Sequence, residues 1–178
     1  MANDGLKRQH ERAAGERLLA WLKSHRGSAY AIREQPDPPK PDLIIGNEFE
    51  TIGLEVVTAY YSEQEAAQRW QWAREEDHAS GMSVVDPDGQ LREFVEANIG
   101  TKCQKRYVSD GPIWLLVDSC PPLTTERHID DFVPSIRIPS RPPFAAIYLG
   151  VELPYSLGRP TVHEGSYWVW QIYPQTTR

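Results

Sequence analysis

The sequence predicts a mixed α/β (α+β) fold in which helices flank one central sheet, and three observations lead there. Leu6 to His25 has helical periodicity, with Ala14, Leu18, Trp21 and Leu22 on one face. Ile113 to Asp118 is an almost fully apolar run of strand length, as expected of a strand covered on both faces and therefore central in its sheet. Helical and strand patterns interleave along the chain, which argues against a purely helical or purely β architecture. With 178 residues, 40% of them apolar and 25% charged, the chain has material for one core and a soluble surface, so a single domain over 1–178 is expected.

The elements follow in order. Gly27 is a plausible stop for the first helix. Tyr30 to Arg33 reads as a short strand, ended by the proline-rich run Gln35 to Pro41, which suits neither a helix nor an inner strand. Leu43 to Ile45 and Gly53 to Tyr60 read as a hairpin, with Gly46-Asn47 marking the bend. Ser62 with Glu65 forms a capping-box signature and opens an acidic helix to about Asp77. A second long helix is expected from about Gln90 to Tyr107, with Leu91, Val95, Ile99 and Cys103 as its apolar stripe, ended by Asp110-Gly111-Pro112. After the Ile113 strand, Thr124 to Ile136 suggests a short helix cut by Pro134, and Phe144 to Val151 and Tyr167 to Tyr173 are the last strands.

Several function classes recede at once. The longest apolar runs fall well short of the roughly 18 residues a bilayer span needs, and Met1-Ala2-Asn3-Asp4 has no apolar signal core, so a cytoplasmic protein without a membrane partner is expected. Cys103 and Cys120 cannot form a disulfide framework or a cysteine zinc site, and both read as buried thiols. The five histidines form no HxH or HxxxH pair, there is no glycine-rich phosphate loop, and Ser156 and Ser166 lack a GxSxG context. The net charge of −6 is uneven: residues 1–33 carry seven Lys or Arg against three acids, whereas residues 62–98 carry nine acids against three basic residues. Overall acidity argues against non-specific coating of DNA but leaves room for phosphate chemistry at a metal site. Trp70 and Trp72 cannot share a helix face, whereas Trp168 and Trp170 share a strand face, better suited to core packing or a homodimer seam than to base stacking.

The chemistry concentrates in Pro41-Asp42-Leu43-Ile44-Ile45 and Gly53-Leu54-Glu55-Val56-Val57. A carboxylate inside an apolar strand must be paired, protonated or metal-bound, because a lone buried charge costs several kcal/mol. Asp42 and Glu55 on adjacent strands would repel unless a divalent cation lay between them, in the oxygen-ligand arrangement that Mg²⁺ prefers. A Glu55 on a strand edge, paired with an arginine, is the alternative that spacing leaves open.

These residues resemble the PD-(D/E)XK nuclease superfamily, the restriction-endonuclease-like fold. Pro41-Asp42 matches the first motif and Glu55-Val56-Val57 the second, within an outline from about Glu11 to Asp118. The resemblance implies a metal-dependent nuclease that hydrolyses phosphodiester bonds in DNA, and it leaves RNA open. Mg²⁺ or Mn²⁺ would be bound by Asp42, Glu55, the main-chain carbonyl of Val56 and Glu11. The family's motif lysine is replaced by Val57. Lys102, on the apolar stripe of the second long helix, is the candidate for a migrated lysine, with Lys105 as the fallback; a lysine snorkelling to solvent is the plain alternative. Glu11 lies on the apolar face of the first helix while Glu16 points away; a helix-start glutamate favoured by the helix dipole is its alternative. Glu34 is a weaker candidate for the same role. Lys105, Arg106, Gln68 and Arg69, with Gln64, are candidates to meet a phosphate backbone. No recognition domain is visible, so targeting is expected from a homodimer or a protein partner. A catalytically inactive member of the fold, serving as a binding or assembly subunit, is the rival reading.

Overall fold

The computed structural model describes residues 2–59, 87–119, 126–152 and 167–174. Helix α1 spans Ala2–Arg26, and it is followed by strands β1 (Ala31–Glu34), β2 (Leu43–Gly46) and β3 (Thr51–Ala59). Helix α2 (Pro87–Cys103) leads to β4 (Ile113–Ser119), and α3 (Glu126–Phe132), extended by a 3₁₀ turn at Val133–Ser135, leads to β5 (Ala146–Glu152) and β6 (Tyr167–Tyr173). The six strands form one mixed sheet in the order β1-β2-β3-β4-β5-β6. β1, β2 and β3 pair antiparallel, β3, β4 and β5 pair parallel, and β6 returns antiparallel to β5. The fold is therefore of the mixed α+β class.

The period of two along each strand sorts its side chains between two cores. Leu43, Ile45, Ile52, Leu54, Val56 and Leu116 meet Ala14, Leu18 and Leu22 of α1 on one face. Leu115, Val117, Ile147, Leu149 and Val151 meet Leu91, Val95 and Ile99 of α2 and Ile129 and Phe132 of α3 on the other. Burial on both faces explains why β4 reads as an unbroken apolar run, and β4 indeed lies inside the sheet between β3 and β5.

Helix α1 ends where Gly27 takes φ 65°, a left-handed conformation that glycine adopts without a Cβ penalty. The Gly27 and Ser28 amides donate back to the carbonyls of Lys23 and Leu22. In the β2–β3 turn, Asn47 Oδ1 accepts from the amides of Phe49 and Glu50 at 2.8 and 3.0 Å.

Two local expectations are corrected. α2 stops at Cys103 rather than Tyr107: the amides of Gln104 and Lys105 turn back to the carbonyls of Thr101 and Lys102, three residues earlier, and the tightened turn closes the helix. Cys103 is half-buried rather than buried, at the last residue of the helix. Trp21 shares the face of Ala14, Leu18 and Leu22 as expected, half-buried against their core and stacked at 4.7 Å on His25. Trp168 and Trp170 pack at the margin of the α2-side core, and Trp170 donates its indole N–H to Asp130 at 2.7 Å. The acidic helix expected after Ser62, with Gln64, Gln68, Arg69, Trp70 and Trp72, lies outside the described residues, as do Cys120, Ser156 and Ser166. Among the described residues no helix is long and apolar enough to cross a membrane.

Candidate functional site

The register of β2 on β3 pairs Leu43 with Leu54, so Asp42, one residue before β2, stands opposite Glu55. Like charges placed across a strand pair are unfavourable unless something compensates them. Asp42 Oδ2 accepts the Val56 amide at 2.9 Å, extending the ladder by one bond through a side chain. Glu55 lies on the face of β3 turned to α2 and is 4% exposed. From α2, Lys102 reaches back so that its Nζ donates to Glu55 Oε1 at 2.6 Å and to the Val56 carbonyl at 3.3 Å. Val56 is thus held at both ends of its main chain, its N–H by Asp42 and its C=O by Lys102. Glu55 is an inner-strand residue paired with a lysine, not an edge residue paired with an arginine.

Glu11, buried on α1, is the third acid of this group. Its Oε1 lies 3.2 Å from Lys7 Nζ, and Gln35, in the loop after β1, donates Nε2 to Glu11 Oε2 at 3.5 Å and to the Arg8 carbonyl at 2.9 Å. Burial first, and then the charge of Asp42, push both the Glu55 and the Glu11 carboxyls above their ordinary range; Lys102 opposes the shift at Glu55, and Lys7 and then Lys102 oppose it at Glu11. Tyr107 sits against the same group, its hydroxyl donating to the Lys102 carbonyl at 3.3 Å; burial, followed by the charge of Glu55, holds its phenol well above the usual range. Lys105 and Arg106 are exposed just beyond α2, and Lys105 is close enough for its charge to act on Glu55. Glu34 is exposed at the end of β1, and Glu16 pairs with Arg12 at the surface.

Asp42, Glu55 and the Val56 carbonyl are hard oxygen donors, and the Glu55 and Glu11 carboxyls, raised first by burial and then by the charge of Asp42, stand in a negative field that a cation would relieve. Among the described residues no three His, Cys, Asp or Glu side chains gather closely enough to hold a metal by themselves. The donor set is therefore two carboxylates and a carbonyl, which suits an ion such as Mg²⁺ that keeps several of its waters. Lys102 already engages Glu55 Oε1 and the Val56 carbonyl, so a cation using those oxygens competes with its ammonium.

A second buried polar group ties α1 to the sheet. Asp118 of β4, 4% exposed, accepts from Arg17 Nη2 at 2.9 Å and from the Tyr167 hydroxyl at 2.7 Å. His10 Nε2 lies 2.8 Å from Thr58 Oγ1 and 3.5 Å from Asp118 Oδ2. Gly150 makes room for this arrangement, since a Cβ there would lie 1.8 Å from the Tyr167 hydroxyl. Sequence reasoning passed over Lys7, Gln35 and Tyr107 at the first group and the whole of this second one. The i, i+4 spacing of Lys7 and Glu11 was an available signal, and so was a carboxylate near the end of the apolar β4 run.

No protein-family model matches this chain, and neither the curated proteins nor the solved structures give a match.

Proposed function

We propose that the protein is a metal-dependent nuclease of the PD-(D/E)XK type, acting in the cytoplasm on phosphodiester bonds in DNA. The observation that carries this reading is the convergence of Lys102, from a helix, on Glu55 and the Val56 carbonyl, beside Asp42. Val57 at the motif-lysine position packs against the α2-side core. Lys102 brings an ammonium to the place where that lysine would otherwise act, which supports the migrated-lysine arrangement. The mixed sheet, with a hairpin feeding a parallel pair, supports the same family outline.

Asp42, Glu55 and the Val56 carbonyl would hold Mg²⁺ or Mn²⁺, with Glu11 as a further acid. When bound, such an ion would neutralise charge at the phosphate and lower the pKa of a water for attack. Asp42 orients the Val56 peptide, and with it the carbonyl donor. Lys102, freed from Glu55, would place a positive charge against the phosphate oxygens as negative charge builds there. Lys105 and Arg106 would meet the backbone beside the cut. Targeting would come from a second copy or a protein partner.

The test is isothermal titration of Mg²⁺ and Mn²⁺ into the wild type and Glu55→Ala, with cleavage of plasmid and single-stranded DNA under the same conditions. The expected result is metal binding that Glu55→Ala abolishes and nicking that Lys102→Ala abolishes. Absence of metal binding by the wild type would sink the reading. Metal binding without cleavage would favour the second reading, an inactive member of the fold serving as a binding or assembly subunit, to which Val57 in place of lysine points.

A further inference from the structure

Helix α1 carries a lysine that the reading above leaves unused. Lys7 stands one turn before Glu11 on the same face, with Nζ 3.2 Å from Glu11 Oε1. The partners are unequal, since the Lys7 side chain is 65% exposed and that of Glu11 only 9%. Glu11 Oε1 is buried and has no hydrogen bond of good geometry, so the ammonium holds it by charge rather than by a directed bond. Burial works against the Lys7 charge, yet Glu11, Asp42 and Glu55 outweigh it and raise its pKa, so this ammonium stands in the field of all three acids. Each buried glutamate of the site therefore meets an ammonium from a different helix, Glu11 from α1 and Glu55 from α2. The two lysines differ in freedom: the Lys102 side chain is 13% exposed and enclosed, whereas Lys7 can turn outward.

We propose that Lys7 is a phosphate-binding residue that Glu11 holds in reserve: without a divalent cation its ammonium neutralises Glu11, and with the cation on the acids it turns to the DNA backbone. This rests on the nuclease reading. A cation on Asp42 and Glu55 takes over part of the neutralisation of Glu11 from Lys7, so removing the ammonium tightens metal binding while weakening the hold on DNA. An ion pair open to solvent on its lysine side contributes about 0.2–1 kcal/mol, which sets the gain in metal affinity at about 1.4- to fivefold. Loss of one phosphate contact lowers the slope of log affinity against log salt by about 0.9.

Lys7→Met and Lys7→Arg are compared with the wild type by Mg²⁺ titration and by anisotropy of a fluorescent duplex DNA in Ca²⁺ at several salt concentrations. The expected result for Lys7→Met is tighter Mg²⁺ binding, weaker DNA binding and the reduced salt slope, with Lys7→Arg keeping the wild-type slope. An unchanged salt slope in Lys7→Met overturns the proposal, whatever the metal affinity, and leaves the nuclease reading standing. A wild type that binds no Mg²⁺ overturns both.

Discussion

Burial, followed by the charge of Asp42, holds the Glu11 carboxyl above its ordinary range. A carboxyl whose pKa is raised in the folded state binds more protons there than in the unfolded chain, so stability falls as pH rises from about 4.3 through the folded value. Above that window the charged form costs the fold stability; below it the cost is absent. Glu11→Gln keeps the size and an amide for Gln35 to meet while removing the charge. In metal-free buffer at neutral pH, Glu11→Gln is expected to melt higher than the wild type, each 1 kcal/mol corresponding to about 2–4 °C. The advantage disappears on acidification below about pH 4.3, and calorimetry in a chelating buffer across this range checks it. Weaker Mg²⁺ binding by the more stable variant would mark Glu11 as a site residue that is kept at the expense of the fold.

Helix α1 serves both polar groups. Lys7 and Glu11 face the acids near β2 and β3, while His10 and Arg17 grip Thr58 and Asp118 at the far ends of β3 and β4. The Asp118 cluster thus sets where the front of α1 sits, and with it the position of Glu11. Asp118→Asn keeps an acceptor for Tyr167 but leaves Arg17 without its counter-charge. Removing one partner of a fully buried pair costs roughly 3–5 kcal/mol, and since a third of Arg17 is accessible the expected loss is roughly 2 kcal/mol. Hydrogen exchange should quicken in the first half of α1, and Mg²⁺ affinity should fall although no candidate ligand has changed. Arg12→Ala, which breaks an exposed pair with Glu16, should cost less than about 0.5 kcal/mol and move neither readout.

At the scale of the whole sheet, four tyrosines among the described residues have raised phenol pKa values. Burial, then the hydrogen bond to Glu50, pushes Tyr30 up to about 12; burial, joined by Glu55 at Tyr107 and Asp118 at Tyr167, raises Tyr107, Tyr148 and Tyr167. A phenol with a raised pKa stabilises the fold fully below its unfolded value near 10, and that contribution is lost as pH rises through the folded value. Stability should therefore fall steeply above about pH 10, with delayed phenolate absorbance appearing together with unfolding. Early, independent ionisation of all tyrosines in a still-folded protein would contradict the packing of both cores.

How much was legible follows from the range of each interaction. Apolar periodicity is a local property, so Leu6 to His25, the Leu43 and Gly53 strands and the doubly covered β4 could be read directly, and with them the mixed α+β class. Glu55 stood out because a carboxylate in an apolar strand needs compensation, and the phase of α2 turned Lys102 toward the core. The end of α2 could not be read, because Gln104 to Tyr107 contains no glycine or proline and packing decided the matter: Tyr107 sits against Phe144, 5.7 Å between ring centres. Asp118 looked like a strand terminus because its partners Arg17 and Tyr167 lie 101 and 49 residues away. The sequence by itself determined the run of helices and strands among the described residues and marked Glu55 as an acid that needs an answer. Only the tertiary structure decided who answers, Lys102 for Glu55 across 47 residues and Arg17 for Asp118, because counter-charges are chosen by which helix crosses which face of the sheet, and no local pattern encodes that crossing.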